Sequence, residues 1–359
     1  MRTADFDFVL PPELIAQHPS PERGQSRLLV LDRNQRRIEH KFFSDLPDFL
    51  RAGDVLVLND SRVIPARLRG TNATTGGWFE ILLLEENEPN DWWAMIRPGR
   101  NAQIGTAINI AQPKSVAGET TVTAIVMEKN PEGHCRLRFS AGGDIKQWLD
   151  ALGEVPLPPY IARGTERLPG DKVRYQTVFA RNDGSVAAPT AGLHFTDALL
   201  DKIRQAGVTV CFVTLHVGPG TFLPVKTPEL SGHTMHEERF ALGEETVRAV
   251  NDAKESGARV CAAGTTTVRA LESVAAKNAG KLNVYAGKTN IFIFPPYQFK
   301  IVDALVTNFH LPCSTLLMLA SAFAAPGETR GREMMLSAYA EAIRERYCFY
   351  SYGDAMLIS

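Results

Sequence analysis

The sequence has little that would indicate a disulfide-bonded, membrane-bound or strongly charged protein. Its 359 residues include 5 cysteines, and the formal net charge is −1. Scattered cysteines without a CxxC pair are typical of a reducing compartment, and a near-neutral chain gives no bulk signal for nucleic acid. No apolar run approaches the roughly 18 residues of a transmembrane helix, and the acidic N-terminus lacks the apolar core of a signal peptide. We therefore expect a cytoplasmic protein that would need a local basic patch to bind RNA.

Motifs of several common enzyme classes are also absent. Without GxxxxGK[ST] the chain is not a P-loop NTPase, and the absence of GxGxxG after a strand argues against a Rossmann dinucleotide site and against the common methyltransferase fold. The GxSxG nucleophile elbow is missing as well. A zinc site is disfavoured, because only the HxxH of His233 and His236 has ligand spacing and no cysteine pair completes it. We expect no metal.

The order of apolar segments predicts an α/β protein that carries an inserted β domain. Apolar segments before residue 62 are predicted as strands, and strands alternate with helices again after residue 152, as in a layered α/β domain. Short alternating segments between them are separated by Gly, Pro and Asn turns, as in small barrels. The prediction is a discontinuous α/β catalytic domain, residues 1–62 and 152–359, with a small all-β barrel domain inserted at residues 63–151.

Four local predictions concern the second half of the chain. Residues 208–217 should form a strand apolar enough to be buried on both faces, and residues 290–294 a further strand. Residues 264–267 (GTTT) should be a loop before a helix, and Ser314 should cap another helix. The GTTT loop would suit a phosphate or carboxylate, although threonine could simply cap the helix.

Polar and glycine-rich segments follow several of the predicted strands, where α/β proteins tend to bind ligands. Asn59 to Arg62 follow the strand at 53–58, and HVGPGTF completes and follows the strand at 208–217. Four of the eight histidines lie within residues 194–236, which favours acid–base chemistry over isolated core histidines. The basic, proline-rich segment 153–184 could grip phosphates or be a solvated connector.

Nine sequence blocks in order resemble one enzyme family over nearly the whole chain. They are GDVLVLNDSRVIPARLRG, PPYI, YQTVFA, GSVAAPTAGLHFT, TLHVGPGTFLPV, the HxMHEE pattern at His233, GTTTVRALES, VTNFHLP with STLLML, and YSYGDAMLI. Together they closely resemble the S-adenosylmethionine:tRNA ribosyltransferase-isomerases of queuosine biosynthesis. Two positions depart from the family pattern: Ser61 stands where threonine is expected, and Cys313 where lysine is expected. The second departure puts in doubt a role for that position in binding phosphate or carboxylate.

The resemblance implies a reaction in which S-adenosylmethionine donates a ribosyl group rather than a methyl group. The acceptor would be 7-aminomethyl-7-deazaguanine at the wobble position of a tRNA with a GUN anticodon. The products would be epoxyqueuosine in tRNA, adenine and methionine. S-adenosylmethionine would be consumed, with no metal or prosthetic group, no membrane partner and a monomeric enzyme. The family is described as having an α/β main domain with an inserted β-barrel.

This chemistry requires a base for the carbon beside the sulfonium, a base for the attacking amine and an acid for the departing adenine. The catalytic candidates are His216, His194, His310, Asp60 and Glu237, with His233 and His236 as further ones, and His216 or His194 is expected nearest the reaction. The methionine carboxylate and ribose would be held by Gly218, Gly220, Thr221, Gly264, Thr265 and Thr266. RNA phosphates or the substrate carboxylate would contact Arg62, Arg163, Arg174 and Arg269. Arg269 could instead pair with Glu272 three residues later.

Two other functions remain open on the residues alone. A methyltransferase of unusual fold would transfer the methyl group to RNA, whereas the family's reaction leaves that methyl on free methionine. A non-catalytic RNA-binding module is disfavoured, because basic clusters with stacking aromatics are missing from a near-neutral chain.

Overall fold

The computed structural model describes residues 1–111, 122–163, 169–218, 220, 225 and 227–359. In chain order its strands are β1 (Arg27–Asp32), β2 (Arg37–Phe42), β3 (Val55–Asn59), β4 (Ser61–Val63), β5 (Arg67–Asn72), β6 (Trp78–Glu88), β7 (Asp91–Arg97), β8 (Ala107–Ile110), β9 (Thr123–Lys129), β10 (Cys135–Ser140), β11 (Asn182–Ser185), β12 (Thr209–Leu215), β13 (Glu238–Leu242), β14 (Val260–Ala263), β15 (Tyr285–Thr289), β16 (Ala304–Asn308) and β17 (Ala355–Ile358). The α-helices are α1 (Lys146–Leu152), α2 (Pro169–Arg174), α3 (Asp197–Gln205), α4 (Glu244–Ser256), α5 (Thr265–Lys277), α6 (Thr315–Ala324) and α7 (Gly331–Arg344). Short 3₁₀ turns include Phe43–Phe49 and Thr190–His194.

A mixed sheet in the order β15-β13-β12-β3-β14-β16-β17-β1-β2 forms the larger unit. Strands β12, β3, β14 and β16 are mutually parallel, so their carboxyl ends meet at one edge. The central strands β3, β14 and β16 are buried along their whole length, as expected where both faces of a parallel sheet are covered.

A closed barrel of antiparallel strands, β10-β7-β6-β5-β8-β9, forms the smaller unit. Alternate side chains such as Leu68, Ile81 and Leu137 are buried inside it, and α1 adds Leu149 and Leu152 to the same apolar cluster. Closure removes exposed strand edges, which stabilises a small β unit. The predicted fold class, an α/β main part with a small β-barrel, is confirmed. The domain boundaries at residues 62 and 152 stay a prediction.

Strand β12 is buried on one face only, so the prediction of two buried faces is wrong. Cys211, Val213 and Leu215 are buried, whereas Val210 and Phe212 on the other face are half-buried. Val210 and Phe212 pack against an apolar cluster that includes Leu199 and Leu200 of α3, which covers the second face only in part. The ring of Phe179 lies 5.7 Å from that of Phe212, and the Arg181 guanidinium lies 4.8 Å above it.

Two further predictions in the second half need correction. Helix α5 begins at Thr265, so only Gly264, with φ of 92°, lies outside it, and no threonine side chain caps it. Residues 290–294 are not a strand; the strand is β15, because its backbone pairs with β13. Ser314 does cap α6, since its Oγ accepts a hydrogen bond from the Leu317 amide at 3.2 Å.

Candidate active site at the carboxyl ends of the parallel strands

The polar segments that follow the parallel strands meet at one edge of the sheet, as the sequence predicts. Asn59, the last residue of β3, connects them. Its Nδ2 donates to the Leu215 carbonyl at 2.9 Å and to Thr266 Oγ1 at 3.3 Å. Its Oδ1 accepts from the amides of Leu215 at 3.0 Å and Ser61 at 3.1 Å. This buried amide therefore fixes the ends of β12 and β3 against the first turn of α5.

Two cavities open at this edge, and Val217 lines both. The larger has a volume of about 1690 Å³ and lies between the barrel and the strand ends, with Trp93 and His134 on one side and His216 on the other. The smaller has a volume of about 60 Å³, room for about two water molecules. The larger exceeds the roughly 300–1,000 Å³ of a small-molecule pocket and has room for a second reactant.

His216 lines the large cavity immediately after β12. Its Nδ1 lies 2.7 Å from Ser61 Oγ, and Ser61 Oγ donates to Ser185 Oγ at 2.9 Å. Partial burial lowers the pKa of His216 below 6.5, and the nearby Asp60 carboxylate opposes that shift. The ring is therefore neutral at neutral pH, which suits a proton acceptor.

His194 is buried away from both cavities. Its Nδ1 lies 2.7 Å from Ser26 Oγ, its Nε2 lies 3.1 Å from Asn308 Nδ2, and its ring stacks on Phe43. Burial lowers its pKa to about 4. Both ring nitrogens are already hydrogen-bonded, so the geometry favours a structural role.

His310 lines the small cavity at the end of β16. Its Nε2 lies 2.8 Å from Thr307 Oγ1, and burial lowers its pKa to about 3. The ring is therefore neutral across the physiological range, so it can orient a small polar group but carries no charge there.

The two predicted carboxylates differ in their surroundings. Asp60 is buried and accepts hydrogen bonds from Asn182 Nδ2 at 3.1 Å and Thr214 Oγ1 at 2.6 Å, which tie β11 to β12. Glu237 lines the large cavity with a side chain that is 59% exposed, 3.7 Å from Lys288 Nζ. Glu237 can reach a ligand in the cavity, whereas Asp60 holds the wall beneath His216.

The predicted ligand-binding residues divide between the two cavities. Gly218 and Gly220 line the large one, whereas Gly264, Thr265 and Thr266 line the small one. Gly220 packs against the His236 ring so closely that a Cβ would lie 2.6 Å from its Cδ2. Thr221 lies outside the described residues.

Of the four arginines predicted to contact RNA, only Arg62 is exposed at the cavity. It lies 3.7 Å from Asp183, with a side chain that is 53% exposed. Arg163 donates to both carboxylate oxygens of Asp171, at 2.8 and 3.0 Å, and Arg174 donates to the Ser20 and Pro21 carbonyls. These contacts favour the connector interpretation of the segment around them.

Arg269 pairs with Glu238 rather than with Glu272. Arg269 and Glu238 are both buried, and the Arg269 Nη1 and Glu238 Oε2 form a short ion pair at the wall of the large cavity. Glu238 Oε1 accepts the Gly218 amide at 3.2 Å, and Arg269 Nη2 has no hydrogen-bond partner among the described residues. Glu272 instead accepts the backbone amides of residues 300–302.

Three more histidines line the large cavity: His134 from the barrel, and His233 and His236 from the segment before β13. Burial lowers the pKa of His134 and of His233. Across the described part of the chain, no three His, Cys, Asp or Glu side chains are grouped so that they could hold a metal ion. No helix within the described ranges is long and apolar enough to cross a membrane.

Comparison with known proteins identifies the family. The family model described as "Queuosine biosynthesis protein" matches residues 3–358. The chain belongs to this family. It is 49% identical over 358 residues, the whole of both chains, to the S-adenosylmethionine:tRNA ribosyltransferase-isomerase of Clostridioides difficile (strain 630). It is also similar to the crystal structure of S-adenosylmethionine tRNA ribosyltransferase from Thermotoga maritima, with 39% identity, a TM-score of 0.55 and coverage of 99% and 100% of the two chains.

Glu238 is the residue of this family member's site that the sequence reasoning missed. Its neighbour Glu237, from the same pair of glutamates, was the predicted residue. The sequence offers a signal, because Glu238 stands two and four residues before the apolar Phe240 and Leu242, and the structure buries these three while Arg239 and Ala241 are exposed. That period of two places Glu238 on the inner face of β13, beside Arg269.

Proposed function

We propose that this protein is a transferase that moves and isomerises the ribosyl group of S-adenosylmethionine onto tRNA. The acceptor is the aminomethyl group of 7-aminomethyl-7-deazaguanine at the wobble position of a GUN anticodon. Epoxyqueuosine-tRNA, adenine and methionine are the products. The full-length similarity to relatives named for this activity supports the reaction class. The absence of a metal or prosthetic group, the cytoplasmic location and the monomeric state remain predictions.

The observation that carries the proposal is the large cavity with His216 at its wall. It lies between the barrel and the strand ends, where a small co-substrate could meet a nucleotide that enters from outside. S-adenosylmethionine alone would leave much of the 1690 Å³ unfilled. The remaining volume supports a second reactant of nucleotide size.

His216 is the residue we assign to proton transfer. The C5′–sulfur bond breaks and its electron pair leaves with methionine, and the bond from C1′ to adenine breaks as adenine takes up a proton. The amine nitrogen loses a proton and forms a bond to C4′ as the bond from C4′ to the ring oxygen breaks. C5′ loses a proton and forms a bond to C1′, and the freed ring oxygen bonds C5′ to close the epoxide. A neutral imidazole can accept a proton from the carbon beside the sulfonium or from that amine. Glu237 is the exposed carboxylate that remains available as a second proton carrier.

Substrate contacts follow the same geometry. Gly218 and Gly220 offer close backbone approach in the large cavity, and Arg269 offers Nη2 as a buried donor. Among the four arginines, we assign RNA contact to Arg62, because Arg163, Arg174 and Arg269 are engaged within the fold. Gly264, Thr265 and Thr266 form the wall of the neighbouring small cavity.

Adenine release tests the reaction. The purified protein is incubated with S-adenosylmethionine and with tRNA that carries the deazaguanine, and free adenine is measured by chromatography. We expect adenine and methionine in equal amounts, both dependent on that tRNA. Transfer of a labelled methyl group to RNA, or no adenine at all, would overturn the proposal. Unmodified tRNA of the same sequence is the matched control and should give no release.

A further inference from the structure

We propose that Ser61 and Ser185 are positioning residues that hold the proton of neutral His216 on Nδ1. They thereby leave Nε2 as a proton acceptor in the large cavity. The proposal deepens the proposed function, on which its catalytic meaning depends. The tautomer itself can be measured without any substrate.

The hydroxyl of Ser61 is completely buried. A serine hydroxyl has one proton to donate, and Ser61 Oγ donates it to Ser185 Oγ at 2.9 Å. Ser61 Oγ also lies 2.7 Å from His216 Nδ1. Because its only proton is directed to Ser185, Ser61 must accept in this second bond. His216 Nδ1 is therefore the protonated ring nitrogen.

The Oγ of Ser185 is also held by a hydrogen bond from another direction. The Val217 amide donates to it at 2.8 Å, so it accepts both from Ser61 and from the backbone next to His216. Ser185 is the last residue of β11, which pairs in parallel with β4, and β4 begins at Ser61. The ladder pairs Ser61 with Asn182 and Ser185 with Val63, so the strands that carry the two serines are fixed to each other.

The backbone closely surrounds one side of the His216 ring. Gly184, with φ of 146°, lies against it, and a Cβ there would be 2.9 Å from Nδ1 and Cε1. The ring packs flat on this backbone, and the His216 amide donates to the Arg239 carbonyl at 2.9 Å. Within the described part of the chain, Nε2 has no hydrogen-bond partner, and the ring lines the cavity. Nε2 is thus the nitrogen left for a substrate.

The tautomer determines which proton transfer His216 can perform first. A neutral histidine with Nε2 unprotonated can remove a proton but cannot donate one from that atom. His216 therefore begins the reaction as a base rather than as the acid for adenine. Burial lowers the pKa of His216, and of the charged groups around the ring Asp60 and Asp183 raise it while Arg239 lowers it.

Nitrogen NMR tests the tautomer directly. The protein with ¹⁵N-labelled histidine is measured without substrate at about pH 8, where an ordinary imidazole is neutral. The His216 signals are assigned by their loss in His216→Gln. We expect a protonated, pyrrole-type Nδ1 and an unprotonated, pyridine-type Nε2. The reverse pattern in the wild-type protein would overturn the proposal, whatever reaction the enzyme catalyses.

Two substitutions extend the test beyond the wild-type signal. In Ser185→Ala, Ser61 loses its acceptor, so its proton should turn toward His216 Nδ1 and shift the ring to the Nε2-protonated form. Ser61→Thr keeps a hydroxyl at the same position and should retain the wild-type pattern. An unchanged tautomer in Ser185→Ala would contradict control by the serine pair, as would loss of the wild-type pattern in a folded Ser61→Thr protein.

Discussion

His216 and His194 differ in burial and in hydrogen-bond partners, although the sequence pattern makes both of them candidates for catalysis. His216 follows β12 and His194 ends the 3₁₀ turn Thr190–His194, and both have a lowered pKa. His194 has partners on both nitrogens, whereas among the described residues His216 has one on Nδ1 only, so of the two His216 has an atom available to a ligand.

We therefore predict different failures for two matched substitutions. His216→Gln should lower kcat by about 10²-fold or more, as expected for loss of a proton-transfer group, with the fold retained. His194→Gln should lower the unfolding midpoint while the folded fraction keeps most of its turnover. Steady-state kinetics and thermal unfolding on the same samples separate the two. Turnover close to wild type in His216→Gln would return that residue to a structural role.

The buried histidines also predict an acid-sensitive stability. The pKa of His194 is lowered to about 4 and that of His310 to about 3, whereas the same side chains in the unfolded protein have a pKa of about 6.5. Because the unfolded state binds more protons as pH falls below 6.5, each histidine should remove about 1.4 kcal/mol of stability per pH unit in that window. Their contribution is complete above about pH 6.5.

Urea unfolding of the wild type and of His194→Gln between about pH 5 and 7 measures this slope. The variant should lose less stability on acidification than the wild type, whatever its stability at neutral pH. Parallel slopes would show that His194 is not kept neutral by burial.

At the scale of elements, the ion pair of Glu238 and Arg269 joins β13 to α5. Both side chains are almost completely buried. Removing one partner from such a pair leaves an uncompensated buried charge, which costs about 3–5 kcal/mol, whereas removing both costs less than the sum. Arg269→Met should therefore destabilise the protein strongly, and the double variant with Glu238→Gln should recover part of the loss.

Equilibrium unfolding of the two single variants and the double variant gives the coupling. The exposed pair of Lys281 and Glu255 is the matched control, and Lys281→Met should change stability little. Additive effects of Glu238→Gln and Arg269→Met would contradict the coupling between these two elements.

The sequence predicts a strand well when its own apolar pattern determines it, and less well when pairing with a distant segment determines it. The buried strands around Leu56 and Val306 are recognisable because both faces are apolar. Residues 290–294 are also apolar, yet β15 is the strand that pairs with β13. Tertiary contacts rather than local sequence determine that pairing. Glu272 was the wrong partner to predict for Arg269 for the same reason, since the partner in the structure, Glu238, is 31 residues away in the chain.

At the scale of the whole molecule, the barrel and the sheet face each other across the large cavity. Glu85 of β6 pairs with Arg239 of β13 at 2.5 Å and with Lys288 of β15 at 3.2 Å. These pairs place barrel residues such as Trp93 opposite His216. No pattern within either unit predicts that arrangement, because it depends on how the two units pack.

The exposure of the arginines predicts which of them bind tRNA. Arg62 should neutralise a phosphate, so Arg62→Ala should weaken binding and lower the slope of log K against log salt by about one unit. Arg163 already donates to Asp171, so Arg163→Ala should leave that slope unchanged. Filter-binding titrations at several salt concentrations measure both. Equal slopes for Arg62→Ala and the wild type would remove Arg62 from the RNA contact.

The fate of the ribosyl carbons shows whether the enzyme transfers a ribosyl group or a methyl group. The protein is incubated with the deazaguanine-containing tRNA and S-adenosylmethionine in which either the ribosyl carbons or the methyl carbon is ¹³C, and the tRNA nucleosides are analysed by mass spectrometry. We expect all the ribosyl label to enter the wobble nucleoside and no methyl label to do so. Methyl label in the tRNA, or ribosyl label that stays with adenine, would contradict it.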